Sequence, residues 1–211
     1  MIDKTTQVFG KIVCKYTIPL DQIEDFNNVY DQHKEELISN SARLVGRLES
    51  ELEITHLLPK TKIFSNLAAC MDDYIETWYK TGEGLRNPPE QHLKRKFDIL
   101  SCWMNDMVER EYNPPHTHYD GTGWSTVLFL KVPEFVNEGG FKGQLHKFRD
   151  GQLGFISVDG TNTLWVEPRV GDFYIFEAIH QHCVMPFKTK NKQDIRRSMS
   201  FNFLMEKAED V

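Results

Sequence analysis

His116, His118, Asp120 and His182 are the side chains whose types and spacing suit chemistry in this sequence. Three of them stand in the run Asn113-Pro114-Pro115-His116-Thr117-His118-Tyr119-Asp120-Gly121. In extended chain, residues two apart point to the same side, so His116, His118 and Asp120 are expected to face one interior. His182, in His182-Cys183-Val184-Met185-Pro186, is the best candidate for a ligand arriving from a distant strand. Two imidazoles and one carboxylate on one face of an octahedral metal leave three adjacent positions open. Iron(II) can then hold a bidentate co-substrate and O2 side by side. The carboxylate also offsets part of the metal's charge, which favours the set His118, Asp120 and His182. His116 stands as the alternative ligand, with Asp120-Gly121 then a turn. Alone, the H-x-D element is a weak signal that turn residues before a hairpin also produce.

A second constellation follows. In Arg196-Arg197-Ser198-Met199-Ser200-Phe201-Asn202, alternation puts Arg196, Ser198, Ser200 and Asn202 on one strand face and Arg197, Met199, Phe201 and Phe203 on the other. An inward Arg196 offers a planar fork for a carboxylate, and Ser198 adds a hydroxyl donor. A metal at one end and this pair further along describe a pocket for a dicarboxylate held at both ends.

These residues need a frame, and the chain changes character halfway. Pro19-Leu20-Asp21 supplies a helix start, followed by Ile23, Phe26, Tyr30, His33 and Leu37 at helical spacing. A second helix is expected from about Thr61 to Lys80, with Ile63, Leu67, Met71, Tyr74 and Trp78 on one stripe. An alternating segment, Gln7 to Ile18, precedes both. From Phe97 on, short runs separated by Gly, Pro, Asn and Asp read as strands: Ile99 to Met107, Ser125 to Val132, Gly143 to Phe148, Leu153 to Val158, Thr163 to Val166, Asp172 to Ala178 and Arg196 to Met205. That pattern predicts a sandwich or barrel. One domain over 1–211 is expected, a helical support over 1–96 on a β core over 97–205.

Bulk properties narrow the class. Of 211 residues, 40% are hydrophobic, which describes a globular chain. The net charge of −6 argues against broad nucleic-acid binding. The basic run Lys188 to Lys192 with Arg196 and Arg197 reads as a solvated loop rather than a phosphate-binding patch. Cys14, Cys70, Cys102 and Cys183 form no C-x-x-C pair and suit a reduced, cytoplasmic setting. No signal-like N-terminus and no membrane-length apolar run is present, so no membrane partner is expected.

In these motifs the sequence resembles the 2-oxoglutarate/iron(II)-dependent oxygenase superfamily, and within it the small oxygenases of phages and bacteria related to prolyl 4-hydroxylases. The resemblance spans roughly Leu100 to Leu204. It rests on Trp103-Met104-Asn105, Pro114-Pro115-His116-Thr117-His118, Ser125 to Pro133, Gly143-Gln144-Leu145 and Val166-Glu167-Pro168 with Gly171-Asp172 and Phe176. It continues with His182-x-Val184-x-Pro186 and Arg196-x-Ser198-x-Ser200-Phe201-Asn202. Val184 and Pro186 fit the pattern only with His182, not His180, as the distal histidine.

The resemblance implies an α+β chain, mainly β, with a double-stranded β-helix (jelly-roll, cupin-like) core and N-terminal helices packed on it. It implies Fe(II) on His118, Asp120 and His182, with 2-oxoglutarate, O2 and supportive ascorbate. Arg196 and Ser198 would bind the far carboxylate of 2-oxoglutarate, with Asn105 as a further co-substrate contact. The implied activity is a dioxygenase, a hydroxylase that couples decarboxylation to succinate with oxidation of an unidentified peptide side chain or small molecule. Two rivals stand beside it: a three-histidine cupin-type metalloenzyme on His116, His118 and His182 that does not use 2-oxoglutarate, and a non-catalytic jelly-roll binding module. His146 is expected to serve packing or the strand surface. Core packing is the favoured role for Trp124, Trp165 and Phe173, with pocket lining as the alternative.

Overall fold

A computed structural model of the chain describes residues 4–9, 11–39, 46–81, 95–118, 123–136 and 149–207. In chain order the elements are β1 (Lys4–Phe9), β2 (Lys11–Thr17), α1 (Leu20–His33), β3 (Glu51–Glu53), α2 (Ile63–Lys80), β4 (Arg95–Met107), β5 (Asn113–His116) and β6 (Trp124–Lys131). They continue with β7 (Leu153–Ile156), β8 (Thr163–Val166), β9 (Asp172–Glu177), β10 (His182–Val184) and β11 (Arg196–Lys207).

The strands form two antiparallel sheets. One has seven strands in the order β1-β2-β9-β6-β11-β4-β3, the other four in the order β5-β10-β7-β8. Neighbours remote in sequence, such as β9 beside β2 and β11 between β6 and β4, give the crossed connections of a jelly roll.

Alternation along the central strands separates two cores. On β6, Leu128 and Leu130 join Phe173, Ile175, Met199 and Phe201 on the face covered by α1 and α2, while Val127 and Phe129 join Phe155, Tyr174 and Phe176 between the sheets. Period two makes every central strand bury both faces, one against helices and one against the small sheet.

Pro19 precedes α1, and its fixed φ suits a helix start. Ile23, Phe26 and Tyr30 form the buried stripe. The helix stops at His33, followed by a 3-10 turn at Lys34–Glu36, so Leu37, expected on the same stripe, lies past its end. Helix α2 buries Ile63, Leu67, Met71 and Tyr74 as the spacing predicts. The expected single segment over residues 7–18 is two paired strands, β1 and β2. The expected strand at residues 143–148 lies outside the described residues. Strands β3 and β10 have three residues, too few for alternation to register, and two of the four residues of β5 are prolines.

Arg196 and Arg197, read in sequence as part of a basic run, are both buried. All four cysteines are buried and free of disulfides. Among the described residues, no helix is long and apolar enough to cross a membrane.

Candidate metal centre

The short strands β5 and β10 create the site. They pair antiparallel with His116 directly opposite His182, so both imidazoles leave the same face of the small sheet. His118 follows β5, anchored by its backbone N–H donating to the Ala178 carbonyl at 2.9 Å. One donor atom from each of His116, His118 and His182 lies within 4.8 Å of the others. Nε2 of His118 is 3.3 Å from Nε2 of His182. Right-angle ligands with bonds of about 2.1 Å stand about 3 Å apart, so this pair already has metal spacing.

Their protonation suits the same role. Burial first, then the neighbouring His116, pulls His118 down to about 4. Burial also carries His182 well below the ordinary imidazole range and lowers His116. All three are therefore neutral at physiological pH, as metal ligands must be. Phe176 packs edge-on to His182 at 4.8 Å between ring centroids and Trp103 sits 5.4 Å from His118, so aromatic walls surround the cluster.

Asp120 lies outside the described residues, as does His146. The structure thus brings together three of the four candidate ligands. His180 is not among them: its Nε2 faces the Ile156 carbonyl at 3.1 Å.

Toward the core between the sheets, whose Phe155 and Phe176 also pack on His182, β11 turns Arg196. Its Nε donates to the Gly151 carbonyl at 3.1 Å, Nη1 lies 3.4 Å from Ser198 Oγ, and the guanidinium stands 4.8 Å over the Phe129 ring. Gly151 has φ +62, and a Cβ there would meet Phe135 at 2.5 Å, so only glycine presents this carbonyl without strain. Arg196 is 1% exposed, has no carboxylate partner among the described residues, and leaves Nη2 without any partner. Burial pulls it down to about 9, so it is still charged at neutral pH. A buried, unpaired cation is costly. Such a group suits an anionic ligand.

Asn105, opposite Ser198 in the β4–β11 register, projects to the same side as Ser198, with Oδ1 buried and unpartnered among the described residues. Trp124 and Phe173 belong to the core under the helices, not to the core between the sheets. Sequence reasoning missed Glu51, aligned with Asn105 on the far side of β4; its three-residue strand gave no signal. Burial pushes Glu51 up to about 7. A carboxyl with a raised folded pKa stabilises most when protonated in both states, below about 4.3, and that stability is lost as pH rises through about 7. Glu51→Gln is therefore expected to stabilise the protein by about 1 kcal/mol at pH 8, discounted for partial exposure, and to change little at pH 4. Urea unfolding at both pH values checks this; an equal effect at both would remove Glu51 as the titrating group.

Residues 101–202 match the family model described as "Putative 2OG-Fe(II) oxygenase". The fold is similar to that of a Pseudomonas putida prolyl-4-hydroxylase, at 19% identity and TM-score 0.53, covering 99% of this chain and 95% of that one. It is similar to a Trichoplax adhaerens prolyl hydroxylase solved with a hypoxia inducible factor oxygen degradation domain peptide, at 14% identity and TM-score 0.58, covering 90% and 82%. It is also similar to the viral collagen prolyl hydroxylase of Paramecium Bursaria Chlorella virus-1, solved with 2OG, at 11% identity and TM-score 0.52, covering 95% and 94%. These likenesses establish the double-stranded β-helix. No curated protein matches the chain.

Proposed function

Since the chain belongs to the 2-oxoglutarate/iron(II) oxygenase family through residues 101–202, we propose that His116, His118 and His182 hold its iron and that Arg196 and Ser198 receive the far carboxylate of 2-oxoglutarate. The family makes the protein an oxidoreductase dependent on Fe(II), 2-oxoglutarate and O2. The observation that carries the site assignment is the Arg196 guanidinium, buried with Nη2 unpartnered among the described residues, against the same inter-sheet core whose Phe155 and Phe176 pack on His182. Of the two ligand pairs open in the sequence, His116 with His118 is the one that lies wholly within the described residues, with donor atoms within 4.8 Å of that of His182. Three neutral ligands leave the metal's full dipositive charge facing a dianionic co-substrate.

The donor set fits the group. Lone pairs on three imidazoles suit iron(II), and the unpartnered Arg196 Nη2 and Asn105 Oδ1 suit a polar co-substrate. When bound, iron with 2-oxoglutarate and O2 supplies the oxidising power, yielding succinate and CO2 as a C–H bond of the primary substrate is hydroxylated. The protein's part is placement. Arg196, held on the Gly151 carbonyl and over Phe129, fixes one end of the co-substrate and sets its reach toward the histidines. Phe129, Phe155, Tyr174 and Phe176 keep water from the cavity floor. The peptide held by one fold neighbour supports a peptide side chain as primary substrate.

An aerobic assay with Fe(II), ascorbate and 2-oxoglutarate is expected to yield succinate. His182→Ala and His116→Ala should each weaken Mn(II) affinity by about 100-fold or more, while Asp120→Ala leaves it near wild type. Loss of Mn(II) binding in Asp120→Ala with retention in His116→Ala would reinstate the carboxylate set. A wild-type protein that binds Mn(II) but neither binds nor turns over 2-oxoglutarate would transfer it to the three-histidine cupin type.

A further inference from the structure

The three imidazoles settle two of their own tautomers and leave the third to a neighbour. Nδ1 of His116 is 2.8 Å from the Pro114 carbonyl, and Nδ1 of His182 is 2.9 Å from the His180 carbonyl. A carbonyl can only accept, so both Nδ1 atoms carry the proton and both Nε2 atoms present lone pairs. His118 is placed differently. Its Nδ1 lies 3.5 Å from the side-chain amide nitrogen of Asn202, on the inner face of β11. Oδ1 of that amide is buried without a partner, and so is Oγ of Ser125, the residue paired with Asn202 across β6 and β11.

We propose that Asn202 is a positioning residue for His118: its amide turns Oδ1 toward the ring, accepts the Nδ1 proton and holds Nε2 of His118 as the lone-pair donor. This rests on the reading of His118 as a metal ligand. The amide has two orientations, and they have opposite consequences. With Nδ2 toward the ring, the amide donates to Nδ1 and the His118 proton moves to Nε2. There it points at the Nε2 lone pair of His182, 3.3 Å away, and closes a histidine pair that an entering metal must first open by displacing the proton. With Oδ1 toward the ring, both Nε2 atoms face the cavity as lone pairs. The turned amide also gives the orphaned Oδ1 a donor. This orientation pairs the buried Oδ1 with the ring proton and makes all three histidines alike. It gives His118 from a side chain what backbone carbonyls give His116 and His182.

Two measurements test it. In metal-free, 15N-labelled protein, long-range 1H–15N correlation should show His118 protonated at Nδ1, and Asn202→Leu should lose that state while Asn202→Asp, which keeps an acceptor oxygen of the same reach, retains it. Mn(II) affinity followed by electron paramagnetic resonance should fall about 10- to 100-fold in Asn202→Leu and stay near wild type in Asn202→Asp. An Nε2-protonated His118 in the wild type would overturn the proposal. So would an Asn202→Leu variant that binds Mn(II) like wild type, or an Asn202→Asp variant that has lost Nδ1 protonation. The aspartate variant carries the test alone if the leucine variant does not fold. Because the tautomer is read without metal, a correct tautomer in a wild-type protein that binds no Mn(II) upholds the hydrogen bond and sinks the ligand assignment instead.

Discussion

Arg196→Met is expected to weaken 2-oxoglutarate binding by about 100-fold or more while leaving Mn(II) affinity unchanged. Losing one partner of a buried charge pair costs about 2–5 kcal/mol, and each 1.4 kcal/mol is about tenfold in affinity. The metal is spared because Arg196 touches Gly151, Met107, Ser198 and Phe129, none of them a candidate ligand. The ligand-free protein should be at least as stable as wild type. Among the described residues Arg196 is a buried cation with no carboxylate, and methionine fills similar volume without the desolvation cost. Calorimetry with 2-oxoglutarate on the Mn(II) form, beside a urea midpoint, measures both effects. Undiminished 2-oxoglutarate affinity would remove Arg196 from the site.

The adjacent residue should behave oppositely. Arg197→Met is expected to destabilise the fold by about 3–5 kcal/mol, the cost of stranding a buried charge. Arg197 points away from the core between the sheets, toward α1. Its Nε and Nη2 reach the two oxygens of Asp106 at 2.6 and 2.9 Å, Nη1 donates to Asn27 at 3.1 Å, and Asp31 is 2.8 Å away. The guanidinium also stacks 4.4 Å over Tyr30. Asn27, Tyr30 and Asp31 are on α1 and Asp106 is on β4, so one side chain ties the helix to two strands. Burial would raise the Asp106 carboxyl, but Arg197 and Lys34 hold it below the ordinary range. A depressed folded pKa means this stability is present above about pH 4 and lost as pH falls further. Arg197→Lys should not rescue, because a point charge cannot bridge two oxygens. Urea unfolding of both variants decides; a loss under about 1 kcal/mol would show the network to be dispensable.

The contrast between these neighbours shows how far pattern reaches. Alternation in Arg196 to Phe203 was enough to place Arg196, Ser198, Ser200 and Asn202 on one face and Arg197, Met199 and Phe201 on the other, because a strand has a period of two. Both helices were equally legible, since apolar stripes at 3.6 spacing survive without tertiary information. Strands β5 and β10 were not, though they carry His116 and His182. Strand β5 is half proline and β10 has three residues, so neither shows a strand pattern, and β10 exists by pairing with β5 on one side and β7 on the other.

By itself, then, the sequence determined which residue types exist for chemistry, which helix and strand faces are apolar, and that histidines and an arginine-serine strand occur in an oxygenase-like order. Only the tertiary structure decided which of them meet. The 3.3 Å approach of His118 to His182, the stacking of Arg196 over Phe129 and the reach of Asn202 to His118 arise between segments far apart in the chain. Periodicity is a local property of the backbone, whereas coordination and charge pairing depend on distances set by the packing of whole sheets.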